Sequence, residues 1–79
     1  MSPTIFREGP YRFFFFSREE SRIHVHVGSG DGEAKFWLSP EIELAENHGL
    51  AEREITKLAT IIRNHEPQIR EAWSRHFGG

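Results

Sequence analysis

Apolar and polar residues alternate through Ile23-His24-Val25-His26-Val27 and again through Glu33-Ala34-Lys35-Phe36-Trp37-Leu38, with Gly28-Ser29-Gly30-Asp31-Gly32 between them. Successive side chains of a strand point to opposite faces, so this pattern predicts two strands joined by a turn. It also sets His24 and His26 on one side and the three aliphatics on the other. Upstream, Thr4-Ile5-Phe6 predicts a short first strand closed by Glu8-Gly9-Pro10, and Tyr11 to Ser17 predicts a second. Phe13 to Phe16 fill both faces of that strand, which fits a central strand covered on two sides. Arg18 to Arg22 forms a polar loop. After Leu38, Ser39-Pro40 breaks the ladder because proline has no N–H to donate, and Glu41-Ile42-Glu43-Leu44 predicts a short fifth strand. From Leu50 the period becomes 3.6 residues. Ile55, Leu58, Ala59 and Ile62 form one stripe; Ile69, Ala72, Trp73 and Phe77 form another. Between them, Asn64-His65-Glu66-Pro67 predicts the start of a second helix, since proline is tolerated in a first turn; one kinked helix is the alternative.

The expected fold is α+β: a single domain over residues 1–79, with an antiparallel sheet of four or five strands in 1–45 and two helices in 50–79. The helices should pack on one face, through Ile55, Leu58, Ile62, Ile69 and Trp73 onto Tyr11, Phe13, Val25 and Phe36. Opposed residues of an antiparallel pair point the same way, so burying one face requires the rows Ile23, Val25, Val27 and Ala34, Phe36, Leu38 to coincide. A two-residue Ser29-Gly30 turn, or a four-residue loop from Gly28 to Asp31, gives that parity. His24, His26, Glu33, Lys35 and Trp37 then share the other face. The same parity in the second strand adds Arg12, Phe14 and Phe16 to it and leaves Tyr11, Phe13 and Phe15 for the core.

At 79 residues the chain is near the size at which one core is marginally sufficient, so added burial through self-association is expected to help. The absence of cysteine excludes disulfides, thiolate zinc sites and a thiol nucleophile together. Phe13 to Phe16 is the longest apolar run, and no basic region precedes a long hydrophobic stretch, so a soluble cytoplasmic protein is expected. Net charge is −2; residues 1–38 carry five basic and five acidic side chains and 39–79 carry five and seven. Any nucleic-acid contact would therefore come from a local patch.

Pro3-Thr4-Ile5-Phe6, Tyr11-Arg12-Phe13-Phe14-Phe15, His24-Val25-His26-Val27, Glu33-Ala34-Lys35-Phe36-Trp37-Leu38 and Glu71-Ala72-Trp73 resemble, in this order, the domain-of-unknown-function family numbered 4160. The resemblance implies a small prokaryotic toxin–antitoxin-type component, often encoded beside another small protein. The chain departs from the family pattern where Arg22-Ile23 replaces a proline pair. It departs again where Ala51 replaces a polar helix cap ahead of Glu54, which removes a capping box at a cost of about 1 kcal/mol.

The histidine face admits several chemistries. His24 and His26 with Glu33 have the donor types of a metal site, but a paired histidine row is also an ordinary polar row, so neither metal nor cofactor is expected. Catalytically, His24 and His26 fit a metal-independent ribonuclease as general acid and base, with Lys35 or Arg12 stabilising the developing oxyanion. A histidine-triad hydrolase is rejected because Gly28 occupies the third histidine position. Phe14, Phe16 and Trp37 beside Arg12 and Lys35, with Glu33, form a candidate binding surface for RNA bases, a second copy or a partner protein such as a neighbouring gene's product. The acidic net charge favours protein contact. Accessible imidazoles beside a cation in a concavity would mark an enzyme, whereas tied-up imidazoles would mark a binding module. Glu52, Arg53, Glu54, Lys57 and Arg63 form a solvated helix face, and His48, His65 and His76 are given no role.

Overall fold

The gross architecture of the computed structural model, which describes residues 4–16 and 21–78, is a five-stranded antiparallel meander followed by two helices. Pro3, Ser17 and, from the polar loop expected from the sequence, Arg18, Glu19 and Glu20 lie outside the described residues. The strands are β1 (Thr4–Glu8), β2 (Tyr11–Phe14), β3 (His24–Ser29), β4 (Gly32–Trp37) and β5 (Glu43–His48), neighbours in the sheet in that order. The helices are α1 (Glu52–Asn64) and α2 (Glu66–Phe77). This is an α+β fold, and among the described residues no helix is long and apolar enough to cross a membrane.

Gly9, at φ 58°, supplies the left-handed turn residue between β1 and β2. Between β3 and β4 the pair Ser29 and Gly32 brackets Gly30-Asp31, one residue beyond the Ser29-Gly30 turn read from the sequence. The Asp31 N–H donates to Ser29 Oγ at 3.2 Å there. Parity is unchanged by the shift, because the connection still has an even number of residues: Val25 faces Phe36 and Val27 faces Ala34. The fifth strand departs from expectation. It forms at Glu43–His48, not at residues 41–44, and Ile42 lies ahead of it, half-buried against the core. A register shift between Lys35 and Phe36 breaks its alternation, and its polar side chains suit an edge whose backbone alone is paired.

The core lies between the sheet and the helices. Phe13, Phe15, Val25, Val27, Phe36 and Leu38 meet Leu58, Ile61 and Ile62 of α1 and Ile69 and Trp73 of α2. Ile61 extends the first predicted stripe, while Ile55, Ala59, Ala72 and Phe77 flank the core half-buried. His65 separates the two helices: its N–H reaches both Ile61 O and Ile62 O at 3.1 Å, and its Nδ1–H donates to Ile61 O at 2.9 Å. Pro67 then sits in the first turn of α2, where its missing N–H costs nothing.

Ala51 has no side-chain acceptor, yet half of the capping box survives, because its N–H donates to Glu54 Oε2 at 3.0 Å. Arg70 fastens α2 to the end of β4 by donating to Leu38 O at 2.8 Å. Tyr11 fastens β2 to α1 through a 2.9 Å hydrogen bond from its hydroxyl to Glu54 Oε1. Burial pushes the Tyr11 phenol above its ordinary pKa, and the Glu54 carboxylate adds to the effect. The Ala51 N–H first and the Tyr11 hydroxyl second hold the Glu54 carboxyl below its ordinary value.

Candidate functional site

Backbone pairing sorts the sheet face turned away from the core into three cross-strand rows. Arg7, Arg12, Gly28, Glu33 and His48 form the first, each opposed to the next on the neighbouring strand. Phe14, His26, Lys35 and Glu46 form the second, and His24, Trp37 and Glu43 the third. Phe16, past the end of β2, closes on the second row with its ring centroid 4.4 Å from that of His26 and 5.4 Å from that of Phe14. The eight residues singled out in the sequence are thus brought to one region of the sheet, but their surroundings differ sharply.

His24 is 0% exposed, whereas an ordinary polar row would leave both imidazoles partly open to solvent. Pairing of β2 with β3 stops at Phe14 and His26, so the His24 end of β3 lacks a β2 neighbour. Trp73 of α2 comes against the His24 ring there, at 5.2 Å between centroids, with His26 at 5.1 Å and Trp37 at 5.4 Å. His24 Nδ1 lies 2.7 Å from Arg22 O, and a carbonyl can only accept, so Nδ1 carries the proton. His26 is half-buried, stacked on Phe14 at 5.5 Å.

Phe14 is a second correction. At 5% exposed it contributes little to a surface patch, because the Arg12 guanidinium lies 4.5 Å over its ring and His26 covers it too. The exposed aromatic is Phe16, at 43%. Trp37 is half-buried and carries two cations, the Arg22 guanidinium at 4.2 Å and the Lys35 ammonium at 4.4 Å from its ring centroid.

Arg22 was read in the sequence as the end of a loop and a departure from the family pattern and was given no role on this face, although its spacing of two from His24 carries the signal. It donates from Nε to Ser39 O at 2.9 Å and lies 3.6 Å from Glu43. The Leu38 N–H donates to Ile23 O at 3.0 Å, so hydrogen bonds hold the segment where the family pattern has two prolines. His48, given no role in the sequence, ends β5 and donates to Glu46 Oε1 at 3.2 Å. With Phe16, His26, Glu33 and Lys35 it lines a cavity of about 130 Å³. No alternation announced it, because the bulge opposite β4 breaks the period of β5.

A larger, shallow groove of about 450 Å³ opens along the first row, where Gly28 leaves a gap between Arg12 and Glu33. Arg7 and Arg12 stand on one bank and Glu33 on the other. Among the described residues no three histidine, aspartate or glutamate side chains are placed to hold a metal ion. Glu33 lies two rows from His24, too far along the strands to complete a set with both imidazoles.

Comparison with known proteins finds that residues 11–74 match the family model described as "Domain of unknown function (DUF4160)". No curated protein and no solved structure matches.

Proposed function

The chain belongs to the DUF4160 family, and from that premise we propose that it is a protein-binding module whose open sheet face docks a partner protein. The observation that carries this reading is the state of His24, wholly buried with Nδ1 committed to the Arg22 carbonyl. General acid–base catalysis by a histidine pair asks for two groups within reach of the substrate, and only His26 borders the surface. The aromatic rings argue the same way. Arg12 covers Phe14, and Arg22 and Lys35 lie over Trp37, so two of the three rings that would stack bases meet cations and Phe16 is left as the exposed one. Arginine and aromatic side chains are the types enriched at protein interfaces, and Glu33, Glu43 and Glu46 depart from a basic nucleic-acid platform. The toxin–antitoxin-type role implied by the family resemblance is the finer form of this reading, with the neighbouring gene's product as the partner.

Coexpression with that product tests it. The two chains should copurify, and the double variant Phe16→Ala/Trp37→Ala should weaken the complex about tenfold or more while the fold persists. Absence of a complex, together with RNA cleavage that His26→Ala abolishes, would replace this reading with the metal-independent ribonuclease.

A further inference from the structure

We infer that the groove between Arg12 and Glu33 is a binding site for an acidic peptide segment, whose carboxylate is held by the Arg7 and Arg12 guanidinium groups. The inference rests on the protein-binding reading and names the chemistry that this part of the face takes from its partner. Arg7 and Arg12 are directly opposed on β1 and β2, so both side chains leave the sheet on the open side. Like charges directly opposed across strands destabilise a sheet, and a carboxylate between them turns that repulsion into two sets of charge-assisted hydrogen bonds. Arg12 is already aimed: its Nε donates to Thr4 Oγ1 at 2.7 Å, and its guanidinium rests over the Phe14 ring. Little side-chain freedom is then left to lose on binding.

Gly28 follows Arg12 in the same row and leaves the groove open. A Cβ built on Gly28 would stand 3.5 Å from the Phe14 ring, ordinary contact, so a larger side chain would fill the groove without breaking the strand. Glu33 on the far bank can accept from a peptide N–H, a donor that every peptide unit carries and that a phosphate does not. A peptide that brings N–H donors beside its carboxylate therefore suits the two banks better than a phosphate chain.

The test is a magnetic-resonance titration of the isotope-labelled full chain with hexaglutamate, and in parallel with oligouridine at the same ionic strength. Hexaglutamate should shift the signals of Arg7, Arg12 and Gly28 to Gly30, and binding should weaken about tenfold in Arg7→Gln and at raised salt. Gly28→Val should weaken it comparably with every charge in place. Arg7 is exposed, so Arg7→Gln keeps the test valid if Gly28→Val fails to fold. Shifts centred elsewhere, an unchanged affinity in Arg7→Gln, or tighter binding of oligouridine at the same residues would overturn the inference. A partner complex that depends on Phe16 and Trp37 but ignores Arg7→Gln would leave the protein-binding reading standing and remove only the acidic-peptide site.

Discussion

His24 and His26 share a face and a chemical type, and the difference between them is decided by what arrives from α2. Parity made their common side legible in the sequence, because burying Val25 and Val27 leaves the imidazoles no other direction. Their unequal burial was not legible: it depends on Trp73, far along the chain, closing on one ring and not the other. His24→Ala would remove a ring packed against Trp73, Trp37 and His26 and leave a cavity in a region that cannot fully collapse. A loss of about 2–3 kcal/mol of unfolding free energy is expected, against about 1 kcal/mol or less for His26→Ala. Urea unfolding of the two variants measures the difference, and equal losses would contradict the assigned burial. The same contrast bears on function. A loss of activity in His24→Ala alone would report a damaged fold, so His26 is the position at which a chemical role is cleanly tested.

At the level of elements, the β3–β4 hairpin was readable because one face had to be apolar, whereas β5 was read two residues early and too short because neither of its faces had to be. Its position is set by backbone fit. A Cβ on Gly32 would fall 2.1 Å from His48 O, and Gly49 takes φ 98°, so two glycines let the end of β5 pass the start of β4. Those glycines were visible in the sequence, but only the pairing reveals which chain they admit. The break between α1 and α2 was readable from Pro67, and the half-formed cap of α1 was not, since Ala51 advertises nothing. Its backbone, at φ −73° and ψ 155°, already has the extended conformation of a capping residue, and Glu54 already accepts its N–H. Ala51→Ser supplies a side-chain acceptor to the first turn of α1, where the Glu54 N–H already donates to the Ala51 carbonyl at 2.9 Å, and should stabilise the chain by about 1 kcal/mol. Thermal unfolding of the variant checks this; an unchanged midpoint would mean that the first turn of α1 gains nothing from a second hydrogen bond.

The whole molecule is a sheet with one face covered and one face open, and the open face is where the proposed partner would dock. Self-association through aromatic burial was a natural expectation for a small chain with Phe14, Phe16 and Trp37 on one side. Phe14 is already buried within the chain, and Trp37 is half-buried under Arg22 and Lys35. Leu44, the other exposed large apolar side chain among the described residues, is paired with Phe36 and so belongs to the opposite face. Two fully exposed aromatic rings on each of two copies would release about 200 Å² apiece, worth roughly 20 kcal/mol in all at about 25 cal/mol per Å². Phe16 and Trp37 retain less than half of that, which falls within the cost of about 4–15 kcal/mol of bringing two proteins together and leaves little surplus. Two copies would also set Arg7 and Arg12 near charges of the same kind unless the subunits cross at an angle. A partner of complementary charge meets neither difficulty. The chain alone is therefore expected to sediment as a monomer at micromolar concentration, and its complex with the partner is expected to weaken as salt rises. A dimer that persists on dilution and is lost in Trp37→Ala would reverse the conclusion and make the second copy the occupant of the open face.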